Sequence, residues 1–249
     1  MEKKPVLSWI HGLGRSRQDM VPFASALLPD LECVAPNLLG HARRPLPDRL
    51  SVEAFAMDLL ATLDRAGIQN PYLVGWSFGG RVALYLARLF PDRFPGVCLL
   101  GVNYEEKPAM RIGLRFYDPD REREPPLGPH QRRLYSLIHS WFSDELEKPT
   151  YLTDDHLKEI RTPVLIFSGK SDIVVPPHEA EMLHSLLPNA RLSMFEGSIH
   201  PSKDRPYREV PLDVLRKEVL QFVEDVDSGA FPRNEAELGG QARIPVQPL

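Results

Sequence analysis

A serine stands between two glycines in the stretch Gly75-Trp76-Ser77-Phe78-Gly79-Gly80. The apolar run Tyr72-Leu73-Val74 before it favours a strand, and the alanine-rich run from Arg81 to Leu89 favours a helix that Pro91 ends. A serine at such a junction is typical of a nucleophile elbow, a strained turn that exposes the hydroxyl. An ordinary structural turn is the alternative, but the strand and helix on either side favour the elbow.

Composition indicates one soluble α/β domain. The chain has 249 residues, 43% of them hydrophobic, which suffices for one sizeable core, and its formal net charge is -4. It lacks a basic run, which argues against a nucleic-acid partner. The first apolar run is too short for a signal peptide or a membrane span, so we expect a cytoplasmic protein without a membrane span. Cys33 and Cys98 lie in apolar strand-like runs, which indicates no disulfide framework.

A second glycine-bearing turn follows the predicted first strand, residues 6–10. It reads His11-Gly12-Leu13-Gly14. Acyl transfer requires two backbone donors for the oxyanion, and the N–H groups of Phe78 and Leu13 are the natural pair. We expect His11 to shape this turn rather than to transfer protons. Without Ser77, an ordinary strand-to-loop turn would be the simpler interpretation.

Alternation of strands and helices predicts a parallel sheet with helices on both faces. Asp19 and Ser51 are the predicted N-caps of the first two helices, and Leu28 is placed on the apolar face of the first. The predicted strands are 6–10, 32–35, 72–74, 97–102, 163–167 and 191–195, and the remaining predicted helices are 81–89, 177–187 and 210–226. We therefore predict a catalytic domain over residues 1–227 and an irregular tail over 228–249.

The alternation breaks at about 103–160, a segment rich in proline and charge that we interpret as a lid insertion. Its best predicted helix runs from Gln131 to Phe142, with apolar residues at helical spacing. This helix is either a core helix or a lid that covers Ser77 and receives an acyl chain. In the second case Trp141, together with Trp76 beside the serine, contacts the substrate.

Two residues after later strands complete a catalytic constellation. A serine hydroxyl needs a base to remove its proton, and the base needs an acidic residue to orient it. Asp172 follows the strand 163–167 and His200 follows the strand 191–195, at the sheet edge where ligands of α/β proteins bind. The order Ser77, Asp172, His200 is the order expected for this elbow. The histidines show no metal-ligand spacing, so the sequence predicts no metal and no cofactor.

These motifs together resemble the α/β-hydrolase superfamily over about residues 5–226. The matches are His11-Gly12-Leu13-Gly14, the elbow, Gly169-Lys170-Ser171-Asp172 with Val175-Pro176, the histidine loop, and Asn37-Leu38-Leu39-Gly40-His41-Ala42, in which Asn37 replaces the usual aspartate. The resemblance implies an α/β-hydrolase fold with a mostly parallel sheet and a short lid. The family's first hairpin is missing before residue 6, so we expect about six strands.

The resemblance implies a serine hydrolase that cleaves carboxylic esters of short to medium acyl chains. A thioesterase and a carbon–carbon bond hydrolase use the same triad, and a non-turnover receptor or scaffold is the alternative of another class. Asn103 and Glu105 are the alternatives to Asp172 as the acid, because some relatives place it after the preceding strand.

The elbow is similar to that of the pimeloyl-carrier-protein methyl ester esterases. An acyl carrier protein is therefore an alternative partner to a small-molecule ester, and six arginines of the insertion could suit its acidic surface. They are Arg111, Arg115, Arg121, Arg123, Arg132 and Arg133. Interleaved acidic residues nearly balance them, which favours an ordinary solvated surface.

Overall fold

A computed structural model describes residues 4–104, 106–147, 152–200 and 210–231. Within them the chain forms one six-stranded sheet in the order β2-β1-β3-β4-β5-β6, and every neighbouring pair is parallel. The strands are β1 (Val6–Ile10), β2 (Glu32–Val34), β3 (Tyr72–Trp76), β4 (Val97–Leu100), β5 (Val164–Gly169) and β6 (Ala190–Phe195). The prediction of about six mostly parallel strands is confirmed.

Eight α-helices accompany these strands in the described residues. They are α1 (Val21–Leu27), α2 (Val52–Arg65), α3 (Phe78–Leu89), α4 (Glu106–Phe116), α5 (Pro129–Glu147), α6 (Asp154–Glu159), α7 (Pro177–Leu186) and α8 (Leu212–Asp227). Short 3₁₀ turns lie at Arg17–Met20 and Pro91–Arg93.

The helices cover both faces of the sheet, as predicted. One apolar cluster includes side chains of α1 and α8, and the other includes those of α2, α3, α5 and α7. β3, β4 and β5 are buried along their whole length, because helices lie over them on both sides. The carboxyl ends of β1, β3, β5 and β6 therefore meet at one edge of a rigid sheet, and the candidate site lies there.

The start of the first helix differs from the prediction. Asp19 does not cap α1, whose N-cap is Met20 without a side-chain hydrogen bond. Ser16 instead caps the preceding 3₁₀ turn Arg17–Met20: its hydroxyl accepts from the N–H of Gln18, while Asp19 at the third position accepts from the N–H of Ser16. This reciprocal arrangement is a capping box. Leu28 lies outside α1 and is 53% exposed, so its placement on the buried face was wrong. Ser51 caps α2 as predicted, by accepting from the N–H of Ala54.

Three helices, α4, α5 and α6, lie between β4 and β5. The predicted helix 131–142 is part of the longer α5, whereas α4 was not predicted. Pro108 at the third position of α4 is tolerated, because the first N–H groups of a helix have no intrahelical acceptor.

Both cysteines are free. Among the described helices, none combines the length and apolar character needed to cross a membrane, and residues 232–249 of the predicted tail lie outside the described residues.

Candidate active site

Ser77 lies at the junction between β3 and α3 in a strained backbone conformation. Its φ of 53° and ψ of -123° fall where side chains are rarely found, and such a residue costs on the order of 1 to 3 kcal/mol. The surrounding backbone holds it there: the N–H of Ser77 donates to the carbonyl of Leu100 at 2.9 Å, and its own carbonyl accepts from Gly80 at 2.9 Å. The predicted elbow geometry is present.

The two glycines closest to Ser77 in the motif are required for contact with neighbouring backbone. A Cβ on Gly75 would lie 2.4 Å from the Cα of Gly80, and a Cβ on Gly79 would lie 2.2 Å from the carbonyl oxygen of Ile10. Real Cβ atoms essentially never approach a non-bonded heavy atom this closely. The glycines therefore allow α3 to begin directly against β1 and β3, which fixes the height of Ser77 above the sheet.

His200 and Asp172 are joined by a hydrogen bond. The Nδ1 of His200 lies 2.8 Å from the Oδ2 of Asp172, so the ring nitrogen donates to the carboxylate. The same oxygen also accepts from the N–H groups of Ile199 and His200 at 3.2 and 3.1 Å. The N–H groups of Val174 and Val175 donate to Oδ1, each at 2.9 Å. These bonds fix the carboxylate and place the histidine loop relative to β5.

The same bonds keep Asp172 ionised. Burial acts to raise its pKa, but the hydrogen bond from His200, the charge of that ring and the N–H groups of Val175 and Val174 outweigh it, and the pKa lies below its ordinary value. An ionised Asp172 holds the proton of His200 on Nδ1. The Nε2 atom is then left as the basic nitrogen.

Nε2 of His200 is buried and has no hydrogen-bond partner among the described residues. It belongs to a side chain that lines the same cavity as Ser77. Gly101 permits this approach: it has a φ of +54°, and a Cβ there would lie 2.1 Å from Ile199 and 3.0 Å from the ring of His200. The side chain of Trp76 packs beside the imidazole, with ring centroids 5.7 Å apart.

Two backbone N–H groups are candidates for the oxyanion site. Phe78 is the first residue of α3, and the first N–H groups of a helix have no intrahelical acceptor. Leu13 lies in a turn in which the N–H of Arg15 donates to the carbonyl of Gly12 at 3.2 Å. A trans peptide directs its C=O and N–H in opposite directions, so the N–H of Leu13 faces away from that bonded carbonyl.

Three side chains form hydrogen bonds to the backbone of this turn, one each to Gly12, Leu13 and Gly14. Nδ1 of His11 donates to the carbonyl of Gly12 at 2.8 Å, and Nε2 of His41 accepts from the N–H of Gly14 at 2.9 Å. The hydroxyl of Tyr117, just after α4, donates to the carbonyl of Leu13 at 2.8 Å. His11 is thus positioned to shape the turn.

The hydrogen bonds of His11 and His41 require neutral rings. Nε2 of His11 accepts from the N–H of Leu38 at 3.0 Å, and Nδ1 of His41 donates to the carbonyl of Leu39 at 2.8 Å. Each ring therefore donates through Nδ1 and accepts through Nε2. Burial lowers the pKa of both histidines from 6.5 to about 4, so both are neutral at physiological pH.

The cavity above Ser77 has a volume of about 300 Å³. Four of the predicted site residues line it together with Ser77 and His200: Gly12, Leu13, Trp76 and Phe78. Helix α4 and the residue after it supply half of the remaining lining residues: Ala109, Met110, Ile112, Gly113, Phe116 and Tyr117. The wall is mostly apolar, which suits an acyl chain.

Trp141 is not among the side chains that line this cavity. Its ring is buried and packs against Phe78 at 5.5 Å and Phe55 at 6.0 Å, so it supports the wall from behind, whereas Phe142 lines the cavity. The spacing of apolar residues identified α5 correctly but could not distinguish its cavity-facing ring from its core-facing ring.

Sequence reasoning also missed Arg81 and Asn103, which line the cavity. Arg81 is buried in α3, and its Nη2 donates to the carbonyl of Tyr104 at 2.9 Å. Its charge between the glycines of the elbow and the apolar run Val82–Leu84 was the available signal. Asn103 had been considered only as a replacement for the acid; Glu105, the other alternative, lies outside the described residues.

Comparison with protein families gives one match over more than half of the chain. A family model described as alpha/beta hydrolase fold matches residues 5–153. Among solved structures, a hydrolase from Pseudomonas aeruginosa PA01 superposes with a TM-score of 0.70 at 19% identity, covering 90% of this chain and 91% of the other. At that identity the superposition establishes the fold alone.

Two relatives in sequence carry names that indicate hydrolysis. "Putative carbamate hydrolase RutD" of Pseudomonas savastanoi pv. phaseolicola is 27% identical, covering 85% of this chain and 93% of its own length. A pimeloyl-acyl-carrier-protein methyl ester esterase of Neisseria meningitidis serogroup A is 28% identical, covering 77% of this chain and 69% of its own length.

Proposed function

The chain belongs to the alpha/beta hydrolase fold family, and on that premise we propose that it is a serine hydrolase that cleaves carboxylic esters of short to medium acyl chains. Ser77 is the nucleophile, His200 the general base and Asp172 the residue that orients it. The N–H groups of Leu13 and Phe78 bind the oxyanion.

The observation that carries this proposal is the pairing of Asp172 with His200 at 2.8 Å beside the strained Ser77. The carboxylate holds one ring nitrogen, and the other is buried without a hydrogen-bond partner among the described residues, on a side chain that lines the cavity of the serine. A base with one nitrogen held by an acid and the other directed at a nucleophile is the arrangement that activates a serine hydroxyl.

The reaction proceeds in two halves. Nε2 of His200 accepts the proton of Ser77 while the serine oxygen forms a bond to the ester carbonyl carbon. The tetrahedral oxyanion accepts hydrogen bonds from Leu13 and Phe78, and each such donor lowers the barrier by roughly 3 to 4 kcal/mol. His200 then protonates the departing alcohol, which leaves an acyl group on Ser77. His200 then deprotonates a water molecule that attacks the acyl carbon, and it returns this proton to the Ser77 oxygen as the acid is released.

Cavity size supports the proposed substrate range. Ligand cavities span roughly 300 to 1,000 Å³, and a volume of about 300 Å³ lies at the lower end of that range. Phe116 and Ile112 are 48% and 62% exposed although they line the cavity, so the cavity is open on the side of α4. Short acyl chains fit within the wall, and medium chains extend between these two side chains.

Carbamates and thioesters react through the same steps, since both carry a carbonyl carbon with a leaving group. The relative named as a carbamate hydrolase makes carbamates a second substrate class to test. A small-molecule substrate is favoured over one bound to an acyl carrier protein. Three of the insertion arginines, Arg121, Arg123 and Arg132, donate to backbone carbonyls of residues 115–121, so these arginines stabilise the insertion locally.

The proposal is tested by steady-state hydrolysis of p-nitrophenyl esters from acetate to dodecanoate by the wild type and Ser77→Ala. We expect multiple turnovers in the wild type, an optimum at short or medium chains, and loss of turnover in the variant. Unchanged turnover in Ser77→Ala would refute the nucleophile, and a single stoichiometric burst would instead favour a receptor. Phenyl carbamates and acyl thioesters in the same assay rank the substrate classes.

A further inference from the structure

A second cavity of about 720 Å³ adjoins the first behind the turn that follows β1. Its wall contains Arg15 and Ser16 of that turn region, His41 and Arg43 of the loop after β2, and His130 and Gln131 at the start of α5. Arg15 lines both cavities, so the two cavities meet at its side chain. The guanidinium of Arg15 lies 5.8 Å from the ring centroid of Trp76, beside Ser77.

The charged side chains of this wall are two arginines and one aspartate. Oδ2 of Asp19 already accepts hydrogen bonds from the N–H and hydroxyl of Ser16, at 2.9 and 3.3 Å. Its contact with Arg15 is long, at 3.9 Å. The wall therefore carries an excess of positive charge that an anion would neutralise.

Arg43 differs from its neighbour Arg44 in having no ion pair within the part of the chain that the structure describes. Arg44 forms a two-fold ion pair with Asp58, at 2.6 and 3.0 Å. None of the described residues forms an ion pair with Arg43, although its side chain lines the second cavity. Of the two adjacent guanidinium groups, one is thus used by the fold and the other is available to a ligand.

The backbone that presents Arg43 is strained. Ala42 and Arg43 have φ values of 50° and 64°, and the N–H of Arg44 donates to the carbonyl of His41 at 2.9 Å. This is a turn with two central residues in the left-handed region, where glycine and asparagine are strongly preferred. The chain has alanine and arginine there instead. Strained residues of this kind cluster at ligand sites.

We propose that the second cavity binds a carboxylate or phosphate group at the far end of an ester whose carbonyl lies at Ser77. The inference rests on the proposed function and narrows its substrate class to anionic esters. Arg43 and Arg15 bind the anion, and the apolar wall of the first cavity contacts the part of the molecule between the anion and the ester.

Matched pairs of esters test this substrate class. Mono-p-nitrophenyl glutarate and p-nitrophenyl pentanoate have the same chain length and leaving group, and only the first carries a carboxylate on the acyl side. Acetylglycerol phosphate and acetylglycerol place a phosphate on the alcohol side. We expect the wild type to favour the anionic member of at least one pair in kcat/KM by about tenfold, and the pair that does so identifies the source of the anion.

Three variants assign the preference to this cavity. Asparagine is favoured in left-handed turns, so Arg43→Asn removes the charge and keeps the turn. We expect Arg43→Asn and Arg15→Gln each to reduce the anionic preference by about three- to tenfold, and added salt to reduce it in the wild type. The control is Arg49→Asn, which removes an arginine whose side chain is 88% exposed and should leave the preference unchanged. Equal preferences in Arg43→Asn and Arg49→Asn would overturn the site, as would the absence of any preference in the wild type.

A binding measurement separates this proposal from the proposed function. If no ester is turned over, the hydrolase proposal fails, and calorimetric titration of Ser77→Ala with monomethyl glutarate and methyl pentanoate still tests the cavity. The anion site is supported if Ser77→Ala binds monomethyl glutarate more tightly than methyl pentanoate. Adding Arg43→Asn to Ser77→Ala should then weaken the binding of monomethyl glutarate about three- to tenfold. Equal binding of the two esters overturns it.

Discussion

His11 and His41 should make the stability of the protein depend on pH between about 6.5 and 4. In the folded chain burial lowers the pKa of each from 6.5 to about 4. Between these values an unfolded chain binds a proton on each ring that the folded chain does not bind. Stability is therefore fully present above pH 6.5 and is lost as the pH falls towards 4.

The size of the effect follows from the two shifts. At about pH 5 an ordinary histidine is mostly protonated and a ring with a pKa of about 4 is mostly neutral, which gives about 2 kcal/mol for each histidine and about 4 kcal/mol for both. Since a typical domain has a free energy of unfolding of about 5 to 15 kcal/mol, the loss is a large share of the total. The assay is urea unfolding at about pH 7 and about pH 5.

The variant His41→Gln isolates one histidine. Glutamine can accept from Gly14 and donate to a nearby carbonyl but does not titrate, so the loss between the two pH values should fall by about 2 kcal/mol. Groups common to both proteins cancel in this difference. His178→Gln, in which the replaced side chain is 66% exposed, is the control and should keep the full loss. If the free energy of unfolding falls by the same amount between the two pH values in His41→Gln and in the wild type, the burial of a neutral His41 ring is refuted.

Three further changes address catalysis and folding. Tyr117→Phe removes the hydroxyl that holds the carbonyl of Leu13. We expect kcat to fall about three- to tenfold with KM nearly unchanged, since the oxyanion forms only in the transition state. Equal changes in kcat and KM would contradict this role. Asp172→Asn should reduce kcat by about a thousandfold or more, because His200 loses its orienting acceptor; full activity there, with loss in Glu105→Gln, would reassign the acid. Gly79→Ala places a Cβ 2.2 Å from a backbone oxygen of β1 and should abolish soluble folded protein on expression, whereas Gly128→Ala meets nothing within 4 Å and should fold.

The sheet and the elbow could be predicted from sequence because their signals are local. Strand-length apolar runs separated by helical periods specify parallel strands with helices between them, and the glycines around Ser77 specify a close approach of backbone. The proximity of Asp172 and His200 at the edge of the sheet near Ser77 was predictable for a related reason. Asp172 and His200 each follow a strand, and parallel strands end at a common edge.

The cavity wall could not be predicted in the same way. Helix α4 lies in a segment rich in proline and charge, where Pro108 in its first turn and Gly113 further along disfavour a helix, and its apolar residues line an open cavity rather than a closed core. The role of Tyr117 depends on a hydrogen bond across 104 residues of sequence. The second cavity is formed by three segments that are distant in sequence, and nothing local to Arg43 indicates that it lacks an ion pair with any of the described residues.

The turn after β1 shows why these distant contacts matter for catalysis. The strand fixes the chain only as far as Ile10, and the candidate donor Leu13 lies beyond it. His11 and Tyr117 hold the carbonyls on either side of Leu13, and His41 holds the N–H of Gly14, so the peptide groups of the turn cannot rotate independently. An oxyanion site lowers a barrier only if its donors are already oriented before the reaction. Because one of the three supports comes from the end of α4, the segment that forms the cavity wall also orients the donor, and a change in that wall alters substrate contact and oxyanion stabilisation together.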